Sequence, residues 1–248
     1  MEFPLGVFGI ALASASLPVM SRQAAGKDHR ALAGTLNFAL RLALYVSLPA
    51  TVGLVMLRTP IVRVLFERGR FGAAETSATA DALAWYAVGL VAFAGSRIAA
   101  QAFYALGEAG TAVKWGIVSV AANVAAAAVM MGPLGHAGLA GASSVGAYVN
   151  LVALLVVARR RLGLLGGRAL VSSACRTALA SLPLMGSCWL ALALWPARQS
   201  LLLDVAWLAA TIVVGGGAFW IASVALGMPE RTVLLRLYSR RERGLTDA

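Results

Sequence analysis

Polar and ionisable side chains that fall inside long apolar runs are where this sequence could do chemistry. Arg97 lies within the run 81–106 and precedes Gln101 by one helical turn, so the two share a side. A cation in hydrocarbon costs about 2.5–3.5 kcal/mol on insertion scales, which calls for a polar cavity or an anionic headgroup beside it. The alternative is a side chain that snorkels to an interface or meets a neighbouring carbonyl. Glu2 stands at the mouth of the first apolar run, where a helix N-terminus favours a carboxylate and capping alone would account for it. Asn123, Ser143 and Ser144 sit mid-run, able either to line a polar site or only to bond one helix to another. Arg41 is the second cation inside a run.

Covalent chemistry has no comparable candidates. No two acids sit at helical spacing inside a run, and His29 and His136 fall in or near loops, so neither general acid/base work nor metal hydrolysis finds a constellation. Gly141-Ala-Ser-Ser-Val-Gly146 misses the nucleophile-elbow pattern because position 145 is valine. Walker and dinucleotide patterns are lacking, and Cys175 and Cys188 form no C-x-x-C or Cys/His spacing for zinc. The reading is therefore not an enzyme, with no cofactor and no resident metal.

The elements that must position these residues follow from composition. Of 248 residues, 60% are apolar and only 12% charged, against about 25% charged in soluble domains. A bilayer core about 30 Å thick needs about 20 apolar residues in helix, because unpaired backbone groups are too costly in hydrocarbon. Seven runs qualify, at 4–20, 36–57, 81–106, 115–131, 137–157, 177–195 and 205–228. The fold class predicted is all-α, a polytopic membrane protein with about seven transmembrane helices. Gly138, Ala142 and Gly146 keep a small-xxx-small spacing that lets a neighbouring backbone come close.

The net charge of +11 could suggest nucleic acid, but its distribution points to a membrane. If the loops alternate sides, one face collects Arg22, Lys27, Arg30, Lys114, Arg159, Arg160, Arg161, Arg168, Arg176, Arg231, Arg236, Arg240, Arg241 and Arg243. The other holds Arg58, Arg63, Arg68, Arg70 and Arg198. The positive-inside rule then makes the fourteen-residue face, and with it the C-terminus, cytoplasmic. An N-terminus outside, with no basic leader before the first run, predicts further spans upstream in a longer transporter. Arg159 to Arg161 read as a contact to anionic lipid, not a nucleic-acid site, and the tail from Arg231 as either a short amphipathic segment on the inner leaflet or a solvated tail. The loop between the second and third runs carries Ile61, Val64, Leu65 and Phe66 at amphipathic spacing, a turn or two of helix resting on the membrane before Gly69 breaks it, with Thr76 a candidate N-cap for the third span.

Four ordered stretches carry a resemblance over about the first 150 residues. Glu2-Phe-Pro-Leu-Gly-Val-Phe-Gly-Ile-Ala-Leu-Ala with Leu17-Pro and Ser21-Arg22, Leu65-Phe-Glu-Arg-Gly-Arg-Phe71, Ala102-Phe-Tyr-Ala-Leu-Gly107, and Gly132-Pro-Leu-Gly-His-Ala-Gly-Leu-Ala140 together resemble the MurJ (MviN) lipid II flippases of bacterial cell-wall synthesis. That resemblance implies the multidrug/oligosaccharidyl-lipid/polysaccharide exporter fold, with fourteen helices in two six-helix lobes followed by two more. The seven runs would be helices 8–14. Residues 1–160 would form the second lobe, 161–228 two additional helices making a lipid-tail groove, and 229–248 a cytoplasmic basic tail, while the first lobe and the seventh helix would lie upstream. The implied cargo is lipid II, the implied location the inner membrane with surrounding lipids as partners, and the implied cycle alternating access driven by membrane potential or an ion gradient. Glu2 matches the family's cavity-facing acid and Arg97 a basic position of its tenth helix, where Gln101 replaces a usual proline. Asn123 and Ser143 resemble polar members of a sodium site in some relatives, but the acid expected one turn after Asn123 is Ala127. Another exporter of the same fold carrying a different polyprenyl-linked glycan, or a non-transporting membrane scaffold, would show much of the same pattern.

Overall fold

The computed structural model describes residues 11–195 and 200–230, with side chains from residue 16 onward. Its described residues form seven helices and no strand: α1 Ala11–Ala25, α2 His29–Met56, α3 Arg58–Phe66, α4 Ala73–Ala105, α5 Ala109–Leu162, α6 Gly167–Ala193 and α7 Leu201–Ala225. Glu2 and the basic tail from Arg231 lie outside the described residues.

Seven helices and seven predicted spans do not correspond one to one. The runs 115–131 and 137–157 are joined in the 54-residue α5, which bends at Gly135 (φ 53°, ψ −129°) into limbs 109–134 and 136–162. Only glycine takes that backbone conformation without strain. The limbs fold back on each other because their contact is made of small residues: a Cβ at Gly146 would sit 2.9 Å from the Ser119 carbonyl oxygen, and one at Gly138 would overlap the Met130 carbonyl. The small-xxx-small spacing thus marks a close approach between the two helical limbs that meet at Gly135. The seventh helix is α3, the amphipathic loop segment. It buries Pro60, Val62 and Val64 against the bundle and leaves Leu65 and Phe66 exposed, in keeping with a surface helix that touches lipid.

Helices extend past the apolar runs, since hydropathy detects only the part in hydrocarbon. The 33 residues of α4 make about 50 Å of helix, well beyond a bilayer core. It starts at Ala73, ahead of the Thr76 cap suggested by sequence. The Gly72 N–H donates to Glu75 Oε2 at 2.8 Å, while the Thr76 hydroxyl donates to Gly72 O and to Glu67 Oε2. Hydrogen bonds from its own backbone N–H and from that of Gly72 hold the exposed Glu75 carboxyl below its ordinary range.

Two apolar clusters share α2 as a spine. Leu32 and Leu36 of α2 pack with Met20, Ile98, Phe103 and Leu154. Tyr45, half-way along the same helix, packs with Val64, Leu184, Leu208, Phe219 and Met228 of α3, α6, α7 and the turn beyond. The first limb of α5 turns Val113, Ile117, Val120, Val124 and Val129 outward, an apolar surface suited to acyl chains and not to water.

Candidate functional site

A polar cleft opens where α4 meets the two limbs of α5. It encloses about 370 Å³ and is lined on its polar side by Tyr86 and Ser96 from α4, Ser119 and Asn123 from the first limb, and Ser143 and Asn150 from the second. Asn123 and Ser143, singled out by sequence, are therefore brought together, across a contact that glycine makes possible at position 146. Ser119 donates to Gly146 O at 2.8 Å and Ser143 to Leu139 O at 3.2 Å. Asn150 Oδ1 is buried with no hydrogen-bond partner, so an acceptor is left free where unpaired polar atoms are costly. The described lining offers neutral hydroxyl and amide oxygens and no carboxylate. Ser144, one residue on, faces away and donates to Trp85 O at 2.7 Å, fastening α5 to α4.

Arg97 and Gln101 continue along α4 beyond this cleft. Arg97 is exposed and follows the lining residue Phe93 by one turn. It makes no ion pair with the described acids. Gln101 is half-buried, and its Oε1 is a second buried acceptor without a partner. The α4 strip from Tyr86 through Phe93 and Arg97 to Gln101 therefore presents a phenol, a cation and an amide on nearby faces of one helix.

A second cluster is not legible in the sequence. Arg41 projects from α2 to Glu230, just beyond α7, and both Nε, at 2.8 Å, and Nη2 donate to the same oxygen, Oε1. Ser173 of α6 donates to that oxygen too, at 2.9 Å. Glu230 is 2% exposed and Arg41 23%. These partners line a smaller cleft of about 190 Å³ with Ser172 and Arg176 of α6. The only hint is that Arg41 interrupts an apolar run; nothing marks Glu230 as its partner 189 positions away. At the opposite end of the bundle Asp204 of α7, almost buried, accepts from Trp195 Nε1 at 3.2 Å and pairs with Arg63 of α3 at 3.5 Å. Arg58 pairs with Asp81 at 3.7 Å at that end, and Arg161 with Glu108 at 3.5 Å at the first. No described ion pair joins opposite ends.

The sequence model of the family described as "Lipid II flippase MurJ" matches residues 1–203. The chain is 33% identical over 154 residues to the probable lipid II flippase MurJ of Vibrio cholerae serotype O1, covering 62% of this chain and 29% of that protein. It is 35% identical over 150 residues to the probable lipid II flippase MurJ of Rickettsia prowazekii, covering 60% and 30%. To the lipid II flippase MurJ of Burkholderia cenocepacia it is 33% identical over 161 residues, covering 65% and 31%. The matched stretch thus spans less than a third of each relative's length. Among solved structures, a lipid II flippase MurJ in its inward closed conformation superimposes with a TM-score of 0.72 at 21% identity, covering 90% of this chain and 44% of that one. That likeness bears on the fold, and together with a family match over most of the sequence it establishes that this chain belongs to the lipid II flippase MurJ family.

Proposed function

We propose that this chain forms the second lobe and the two additional helices of a lipid II flippase in the bacterial inner membrane, with its C-terminus in the cytoplasm. The observation that carries the reading is the family match over residues 1–203. Lipid II joins a diphosphate and a sugar-peptide head to a polyprenyl tail, and each buried charge or unpaired polar group of such a head costs several kcal/mol in hydrocarbon. A polar cavity between two lobes removes that barrier while the tail stays in lipid. In this reading residues 1–160 supply one cavity wall, with Glu2, Arg97 and Gln101 facing the headgroup and a facing lobe completing the enclosure. Residues 161–228 supply a tail groove, for which the outward Leu179, Leu182 and Trp189 of α6 and Val213 and Ile221 of α7 are chemically suited, and 229–248 form the basic tail. Asn123 and Ser143 act as neutral packing and hydration partners of that wall. Rocking of one lobe against the other would expose the cavity alternately to each side.

The test is depletion of the gene in its own host, with lipid II in the outer leaflet measured by a membrane-impermeant enzyme that cleaves it. Loss of cleavable lipid II with accumulation inside is expected, and an Arg97→Ala variant should restore less of it than Arg97→Lys. Accumulation of a different polyprenyl-linked glycan would redirect the assignment to another exporter of this fold. An unchanged lipid II distribution would reduce the chain to a scaffold.

A further inference from the structure

The cleft at the basic end of the bundle has polar features that the flippase reading does not use. We infer that it binds the phosphate of an anionic phospholipid, held by Arg176 and Ser172 of α6 beside the Arg41–Glu230 pair.

Charge comes first. Arg41 is neutralised by Glu230, whose Oε1 also takes the Ser173 hydroxyl. Arg176 lines the same cleft and has no ion pair with any described acid, so among the described residues the cleft keeps one cation without an acidic partner. Geometry comes next. Cα–Cβ bonds in a helix tilt toward its N-terminus, which brings the Arg176 side chain level with Ser172, one turn earlier and exposed. A cation and a hydroxyl then converge on a space of about 190 Å³, enough for a phosphodiester. The setting selects an amphiphile over a free anion. Leu179 and Pro183 continue the Arg176 stripe at spacings of three and seven residues, both outward-facing, and offer an acyl chain a path directly below the headgroup. Asn37 fixes the start of α6 against α2 by donating to Leu165 O at 2.6 Å, so the two walls of the cleft are held in register. Basic pockets between helix ends recognise anionic headgroups in this way.

Native mass spectrometry of the purified full chain, titrated with phosphatidylglycerol or with zwitterionic phosphatidylcholine, tests the assignment. Phosphatidylglycerol should be retained in preference, and Arg176→Gln with Ser172→Ala should weaken it about fivefold. Both positions are exposed, so the fold is not at stake. Arg30→Gln, an exposed arginine outside the cleft, should leave the preference intact. Retention unaltered by the Arg176 and Ser172 changes would overturn the site, as would an equal loss in Arg30→Gln, which would mean diffuse attraction. Displacement by inorganic phosphate at matching concentration would reassign the cleft to a free anion.

Discussion

Arg41 and Glu230 contribute opposite charges from helices far apart in sequence, and burial makes each depend on the other. Glu230 is 2% exposed and Arg41 23%. Removing one partner of a buried pair leaves the other charge stranded and costs about 3–5 kcal/mol, whereas removing both can be near neutral. Partial solvent access at Arg41 moves the expected loss for Arg41→Gln to the lower end of that range. The double variant Arg41→Gln, Glu230→Gln should recover most of it in thermal unfolding of the detergent-solubilised protein. A double variant as unstable as Arg41→Gln alone would show that the arginine acts through packing and not through the carboxylate. Legibility in the sequence follows the same division. Arg97 and Gln101 are readable because helical spacing alone puts them on one side, and Asn123 and Ser143 because polar residues stand out in apolar runs. Glu230 lies just past the last run, among residues a loop would contain anyway, and only the return of α7 to α2 shows that its charge is buried. Asn150, with an unpaired buried oxygen in the polar cleft, needs the fold of α5 for the same reason.

At the scale of elements, hydropathy locates the helices that are long and apolar enough to cross a membrane among the described residues but not how they join. The turn Gly132-Pro-Leu-Gly-His reads as a loop between two spans, and the chain makes that turn at a single non-helical residue, Gly135, so that one helical limb follows the other with almost no loop. What folds the limbs together is lost side-chain volume, which a hydropathy count does not register. Gly138→Ala places a methyl on the Met130 carbonyl, and overpacking of this kind typically costs about 1–3 kcal/mol. Gly132→Ala, where a Cβ would meet nothing within 4 Å, should be close to neutral. Equal melting temperatures for the two variants would remove the close approach as a source of stability. The start of α4 gives a pH-dependent counterpart. Glu75 caps its first turn by accepting from its own backbone N–H and from the Gly72 N–H, and this bonding lowers its folded pKa. A depressed carboxyl stabilises the folded turn above its unfolded pKa, and that contribution is lost as pH falls through the folded pKa. The residues lie ahead of the apolar run that begins at Asp81, in contact with water. Hydrogen exchange of the Thr76 amide, normalised to its intrinsic rate, should therefore accelerate on acidification below the usual Glu range, and Glu75→Gln should flatten that dependence.

For the molecule as a whole, α2 ties the bundle together, packing its first half into one apolar cluster and Tyr45 into the other. The Tyr45 hydroxyl also donates to Ser223 of α7 at 2.9 Å. The ion pairs sort by end, with Arg41–Glu230 and Arg161–Glu108 at one and Arg58–Asp81 and Arg63–Asp204 at the other. This is the arrangement that alternating loops require, and the charge pattern along the chain predicts it without any contact. Geometry fixes which residues share an end, whereas the membrane decides which end faces the cytoplasm, through the excess of basic residues there. The end bearing Arg159 to Arg161 should therefore be cytoplasmic and the α3 end outside. With Cys175 and Cys188 replaced by serine, single cysteines at the exposed positions Arg70 and Arg160 report the two ends separately. A membrane-impermeant maleimide added to intact cells should label Arg70→Cys at once and Arg160→Cys only after permeabilisation. Labelling in the reverse order would invert the bundle and move the Arg176 cleft to the outer leaflet. Labelling of both in intact cells would mean that the two ends share a side, which no packing of these antiparallel helices across a bilayer allows.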